Sequence, residues 1–425
     1  MLPAETEVLI VGAGPTGLAL AAVLQKAGVN HVLIDALAGA QNTSRAAVVH
    51  AHTLEMLEAI DAVAPLSAAS LPLTNFTVRD RDQPLLAVDF THLPSAFQHM
   101  LMVPQSTTEA VLHDRLSTLG GEIHRSIAAL GARAEGDGAT VRVGTAEGER
   151  SIHARYVVGA DGMHSAIREA AGIGFKGAAY GESFVLADVK MEWPLGPVEV
   201  SLFFSPAGLV VVAPLPDRSY RIVATLENAP ERVGLDDIQR LLDARGPAAE
   251  PGRVSEVVWS SRFRVHHRLA DTYRQGPFLL MGDAAHVHSP AGGQGMNTGL
   301  ADAIVLGQAL SAVIRNGAPE TALDDYSRLR RTAAKEVLPL ASRLTRIATV
   351  RSPLLRRLRN LVLRRLDRMP GFKAKLNLSL SGLSRRRYTV LPAPATASGS
   401  GRRESGRARP SATVGALMAG ASTSP

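Results

Sequence analysis

After a short apolar run, Glu7 to Val11, the chain reads Gly12-Ala13-Gly14-Pro15-Thr16-Gly17, and then an apolar stretch to about Ala27. A second short run, His31 to Asp35, closes on an acid 18 residues past Gly17. This order restricts the fold more than any other feature of the sequence, because it describes strand, glycine turn, helix and strand, a βαβ unit. Gly12 permits the tight turn, Gly14 lets backbone approach a pyrophosphate, and Gly17 allows close contact between helix and strand. Ala13, Pro15 and Thr16 complete the loop, and the helix N-terminus stabilises phosphate charge. Asp35 is placed to accept hydrogen bonds from a ribose, so a dinucleotide is the ligand class that this arrangement fits.

Read as one apolar block, Val8 to Leu24 resembles a membrane span. It is only about 17 residues long and carries three glycines and a proline, where a span needs ~20 largely uninterrupted apolar residues. The first residues carry acid where a secretory signal carries base, and the sequence has no cysteine, which removes disulfides, thiolate metal sites and cysteine nucleophiles. A cytoplasmic protein is the expectation.

The 425 residues, 46% of them hydrophobic, are enough for a large core. Beyond the first unit, a helical segment is expected around His52 to Ala64, and a strand and helix from Leu101 to Leu119. A β-meander is expected from Glu122 to Val158. Phe184 to Val189, Val198 to Phe204 and Tyr220 to Thr225 alternate as strands, with a helix around Leu235 to Arg245. Phe278 to Met281 reads as a buried strand, and Asn297 to Arg315 as an apolar helix with Asn297 as its cap. The fold class is therefore α/β: a Rossmann-like domain with a β-meander, an inserted antiparallel sheet and C-terminal helices. The expected boundaries are 1–78, 96–175 and 268–340 for the nucleotide-binding domain, 79–95 and 176–267 for the inserted strands, 341–388 for basic helices, and 389–425 for a disordered tail.

Two further motifs carry chemistry. Val157 to Ser165 delivers Asp161-Gly162 at a strand end, followed by Ile167-Arg168. Later, Gly282-Asp283-Ala284-Ala285-His286 follows a buried strand, and the loop Ser289 to Asn297 opens a helix whose free N–H groups and dipole suit an anion.

Three motifs in this order, near 12, 160 and 282, resemble the FAD-dependent aromatic hydroxylases related to p-hydroxybenzoate and phenol hydroxylases, over about residues 5 to 345. The resemblance implies that the first motif, Gly12 to Gly17 with Asp35, holds the ADP part of FAD. It assigns Gly282 and Asp283 to the ribityl–pyrophosphate region, and Asp161 to FAD and nicotinamide-cofactor binding. It also carries over Arg45, in Thr43-Ser44-Arg45-Ala46, and Gln105, in Met102-Val103-Pro104-Gln105, as flavin contacts. Gly293, Gly295, Met296 and Asn297 are assigned to the flavin ring, with Pro290 shaping the wall over its reactive edge. The implied reaction is hydroxylation of a small phenol-like or polyketide-like substrate with O2 and NADH or NADPH, through a flavin C4a-hydroperoxide. That chemistry needs an apolar, closable site and no protein nucleophile.

Among other candidates, His288 invites a role as a substrate-side proton acceptor, against the blander reading of a hydrogen-bonded loop histidine. Phe203, Phe204 and Trp259 lie on expected strands, where they either line a substrate pocket or fill the core. A metal reading of His286, His288, His266 and His267 is set aside because carboxylates at ligand spacing are lacking. A flavin halogenase is disfavoured by two distant tryptophans, Trp193 and Trp259, and by the lack of any lysine between Lys26 and Lys176. An epoxidase or ubiquinone-type hydroxylase remains the alternative enzyme reading, and a basic nucleic-acid binder the non-enzymatic one, although no nucleic-acid partner is expected. Nothing in the sequence selects an oligomeric state.

The net charge of +7 is uneven. Ser342 to Arg387 holds 14 Arg or Lys against the single acid Asp367, a net +13, and Tyr388 to Pro425 adds a net +3, which leaves the first 341 residues at −9. Within the basic stretch, Arg351 to Arg368 reads as a helix with Leu354, Leu355, Leu358, Leu361, Val362 and Leu366 on one side. Such a helix suits weak contact with an anionic membrane surface, or it packs its leucines on the body while the arginines meet the acidic remainder. The second arrangement is the expectation. Removing residues 392–425 should leave the melting temperature and turnover unchanged; a clear drop in either would show that this polar tail docks on the body.

Overall fold

Strand β1 (Glu5–Val11) buries Val8, Leu9 and Ile10 completely, as a central parallel strand covered on both faces must. A computed structural model of the chain describes residues 2–39, 46–226, 233–288, 292–348, 350 and 352–392. Arg45 and Pro290 lie outside the described residues, as does the tail from Ala393 onward. Within the segment expected to be unstructured from 389, Leu391 packs against the main core.

Strand β1 pairs in parallel with Gly148–Gly159 on one side and with β2 (His31–Ile34) on the other. Phe278–Leu280 adds a fourth parallel strand beyond Gly148–Gly159. Ala128–Glu135 and Gly138–Thr145 form the expected meander with Gly148–Gly159. Helix α1 (Pro15–Lys26) starts with proline in its first turn, where a missing N–H costs nothing. It packs on the helix Gly295–Arg315, which is long and apolar enough to cross a membrane but is 78% buried inside the protein over its most apolar window.

At two positions the turn between β1 and α1 leaves no room for a side chain. Gly12 has φ +105°, and a Cβ there would lie 2.4 Å from the Ala160 carbonyl oxygen. At Gly17 a Cβ would lie 1.8 Å from the Gly12 oxygen.

The inserted domain is an eight-stranded sheet built around the 18-residue strands Phe175–Glu192 and Arg253–Ala270. It is not wholly antiparallel, since Glu199–Ser205 runs parallel to Asn75–Asp80. The helix Leu235–Arg245, bounded as expected, covers one face through Ile238, Leu241 and Leu242. The other face looks toward the motif-bearing domain and the C-terminal helices.

The C-terminal helix forms over Pro353–Asp367, but its orientation overturns the expectation. Leu354 (75%), Leu355 (55%), Leu358 (55%), Leu361 (54%) and Val362 (46%) are exposed, while Arg359 and Leu363 are buried. Polar partners on the sheet cause the inversion: Asn360 donates to Asp80, Asp367 accepts from the Ala87 N–H at 2.9 Å, and Arg359 lies over the Phe204 ring at 5.1 Å.

Replacing Gly17 with alanine should force α1 away from the turn and cost about 1–3 kcal/mol, a drop of several degrees in melting temperature. An unchanged melt would show that the helix start has slack the backbone distances do not suggest.

Candidate active site

The three motifs become neighbours because three strand ends stand in register. Val11 pairs with Gly159, and Gly159 with Leu280, so Gly12, Ala160 and Met281 leave one edge of the sheet side by side. In doubly wound sheets this carboxyl edge is where ligands bind. Asp35 reaches back to the first turn: its Oδ2 accepts from the Ala13 N–H at 2.6 Å and its Oδ1 from the Leu37 N–H at 2.8 Å. Arg168, which follows the middle motif, donates to the carbonyls of Met163 and Ala284, both at 3.0 Å, and so ties the second motif to the third. Asp161 accepts from the Ile167 N–H at 3.3 Å, and burial pushes its carboxyl up despite that bond.

The Gly282-Asp283 turn is fixed from beneath by a residue that sequence reasoning missed. Asp302, fully buried in the helix Gly295–Arg315, accepts from the Gly282 N–H at 3.1 Å, His286 Nε2 at 2.7 Å and Arg330 Nε at 2.7 Å. Burial opposes its charge, but Arg330 and His286 hold the carboxyl below its ordinary value. The available signal was an acid alone in the run Gly299 to Leu310, since an unpaired buried charge is rarely tolerated. Asp283 itself is exposed at this edge.

Asn297 is not the cap of its helix, which begins at Gly295. Its side chain instead bonds across the site, donating to the carbonyls of Gly293 (2.7 Å) and Val48 (2.9 Å) and accepting from the His50 N–H (2.8 Å). Gln105 opens the helix Gln105–Thr118 and exchanges backbone and side-chain bonds with Ala46, next to the undescribed Arg45. His286 is consumed by Asp302, and His288 stacks on it with ring centroids 6.4 Å apart.

Between the Gly292-Gly293 loop and the inserted sheet lies a cavity of about 130 Å³. Its walls are apolar: Phe184, Val200, Leu202, Val211 and Val223 from the sheet, Met100, Met102 and Val48 from the motif-bearing side. Arg221 is the one charged lining residue among those described, and Asp188 pairs with it twice at 2.7 Å. Phe203 does not line this cavity. Strand side chains alternate, so Val200 and Leu202 face the cavity while Phe203 turns to the opposite face and meets Trp193 edge-on at 5.9 Å. Phe204, on the cavity side of that strand, packs in a neighbouring cluster, and Trp259 is also absent from the lining.

Whether these residues suit FAD is tested by two helix starts. Both α1 and Gly295–Arg315 begin without a side-chain cap or a first-turn acid, so their orphan N–H groups remain available to a ligand's oxygens. A Cβ at Gly14 would meet nothing within 4 Å, which leaves open space at the first of them. The residues fit the group.

The comparisons agree. A family model described as an FAD binding domain matches residues 5–341, and the chain belongs to that family. It is 36% identical over 351 residues to 6-methylpretetramide 4-monooxygenase of Streptomyces rimosus, covering 81% of this chain and 61% of that protein. It is 32% identical to pentachlorophenol 4-monooxygenase of Sphingobium chlorophenolicum, covering 79% of this chain and 63% of that one. The chain thus spans less than two thirds of these curated relatives. The solved structure of p-nitrophenol 4-monooxygenase PnpA from Pseudomonas putida DLL-E4 superposes with a TM-score of 0.82 at 26% identity, covering 91% of this chain and all (100%) of that one.

Beneath the site, burial pushes His50 and His52 down to about 4, so both are neutral near pH 7. A histidine whose folded pKa is depressed contributes full stability above its unfolded value, and that stability falls as pH drops toward the folded value. Unfolding free energy should therefore decline between about pH 6.5 and 4, by up to about 3 kcal/mol per histidine. The slope should lessen in His52→Gln; an identical pH profile in that variant would remove the histidine from the account.

Proposed function

We propose that this protein is an FAD-dependent monooxygenase that hydroxylates a small, neutral aromatic compound, phenol-like or polyketide-like, with NADH or NADPH and dioxygen. The observation that carries the reading is the apolar cavity, which abuts the Gly292-Gly293 loop just before the helix start at Gly295. In this reading the Gly12–Gly17 turn and α1 hold the pyrophosphate, Asp35 the ribose, Asp283 the ribityl chain, and the N–H groups of Gly295 to Asn297 a carbonyl edge of the flavin ring. Bound FAD would supply acceptance of hydride from the nicotinamide and transfer of one oxygen atom from dioxygen to the substrate.

The chain's own part is positioning and exclusion of water. Phe184, Val200, Leu202 and Val223 provide a dry wall against which a flat apolar ring packs. Because Asp188 neutralises Arg221, the cavity presents no uncompensated charge among its described lining, which favours a neutral substrate over a carboxylate. Arg221 also donates to the Ala46 carbonyl at 2.7 Å, joining the substrate sheet to the segment that follows Arg45. His50 donates from Nε2 to the Gly292 carbonyl at 3.0 Å and so fixes the loop on the flavin side of the cavity. Arg45, Pro290 and His288 are proposed to act at the reacting edge. The names of the two relatives, a 6-methylpretetramide 4-monooxygenase and a pentachlorophenol 4-monooxygenase, support this substrate range.

Purified protein should carry one noncovalent FAD, and Asp283→Ala should lower its affinity about tenfold or more, as loss of a charged hydrogen bond does. Full flavin occupancy in that variant would remove Asp283 from the site. Stopped-flow flavin reduction by NAD(P)H should accelerate when a turned-over phenol or polyketide is present. Leu202→Glu should abolish the acceleration while leaving FAD bound; equal rates with and without substrate in the unmodified enzyme would overturn the proposed class.

A further inference from the structure

We propose that the outward face of the helix Pro353–Asp367 is a docking surface for an anionic lipid bilayer. Leu354, Leu355, Leu358, Leu361 and Val362 recur at helical spacing and form one apolar stripe, each at least 46% exposed, and Met369 (53%) extends it. A surface helix ordinarily turns such a stripe inward. Here the inward side is polar and already satisfied, with Asn360 on Asp80, Arg359 on the Ile347 and Phe204 carbonyls, and Asp367 on the Ala87 N–H. The stripe therefore remains outside with no partner from the described body.

Charge selects the occupant. Exposed Arg357 and Arg368 lie along one edge of the stripe and Arg365 lies within it, while Arg364 on the same edge donates to Gln83. The single acid between Ser342 and Arg387 is Asp367, and it is turned to the sheet. A second copy meeting this face about a two-fold axis would bring two arginine clusters together, which opposes association. The residues from Ala393 onward are themselves basic, with Arg402, Arg403, Arg407 and Arg409 against Glu404, so they do not complement it either. An anionic membrane satisfies both demands: the leucines enter the boundary between headgroups and acyl chains, and the arginines extend to lipid phosphates. Polybasic segments gain affinity from such surfaces in a salt-dependent way.

Flotation of the full-length holoenzyme with vesicles tests this. Phosphatidylglycerol-containing vesicles should bind at least about tenfold more protein than pure phosphatidylcholine, and high salt should weaken the binding. The triple variant L354S/L358S/L361S should lose about tenfold or more of that binding, with FAD content and melting temperature unchanged because all three side chains are exposed. Should it misfold, R357Q/R368Q gives the second reading, weaker binding with a flatter salt dependence. Equal recovery on the two vesicle types overturns the proposal. So does a dimer in sedimentation that the triple variant dissolves without any lipid binding, and so does binding that disappears on removal of residues 393–425 while surviving the triple variant.

Discussion

One buried carboxylate organises the motif-bearing domain. Asp302 receives the Gly282 N–H, His286 and Arg330 at once, so it joins the turn after the fourth parallel strand, the helix Gly295–Arg315 and the helix Thr321–Ala348. A charge with no exposed surface is tolerable only when it is paired and hydrogen-bonded, and both oxygens of this one are met by donors, one of them the Arg330 guanidinium. Arg330 then extends the network to the carbonyls of Thr298 and Tyr388, and Tyr326 caps the Leu280 carbonyl at 2.7 Å. The Gly282 turn, with φ +57°, is thereby held from below while Asp283 is left at the ligand edge.

The C-terminal segment closes the same site from behind. Gly382 opens a short 3-10 turn, Leu383–Tyr388, whose Arg385 donates to Gln294, the residue just before the helix start. Arg385 has no acidic partner among the described ion pairs, and burial brings its guanidinium down to about 10. Arg386 meets Glu55, and His52 sits against the same carboxylate at 3.3 Å. These residues stand far apart in sequence, yet they brace the backbone that faces the flavin ring in the proposed reading. The helix start at Gly295 is thus braced by a segment that carries none of the three motifs.

The inserted sheet supplies one apolar wall of the cavity. Its strands present one apolar face to the helix Leu235–Arg245 and the other to the cavity, and a single residue's shift exchanges the two sets. The Arg221–Asp188 pair is the exception on the cavity side, and its bond to Ala46 makes it a joint between the sheet and the motif-bearing domain.

The glycine loop, Asp35, the meander and the helix Leu235–Arg245 were legible in the sequence because each is a local pattern: turn chemistry, period two or period 3.6. The family itself was legible from three spaced motifs. Only tertiary structure decided the rest. In-register strand ends brought residues 12, 160 and 282 to one edge, and that follows from pairing between segments more than a hundred residues apart. Strand parity turned Phe203 away from the cavity, and a one-residue choice of face cannot be read where both faces of a sheet are apolar. Asn297 left its own helix end for Val48 and His50, partners that exist only once the fold has formed. The C-terminal helix shows the limit most plainly: its amphipathic pattern was evident, but which side faces inward was set by Asp80 and the Ala87 N–H on a distant sheet, because a satisfied polar contact outweighed the usual burial of leucine.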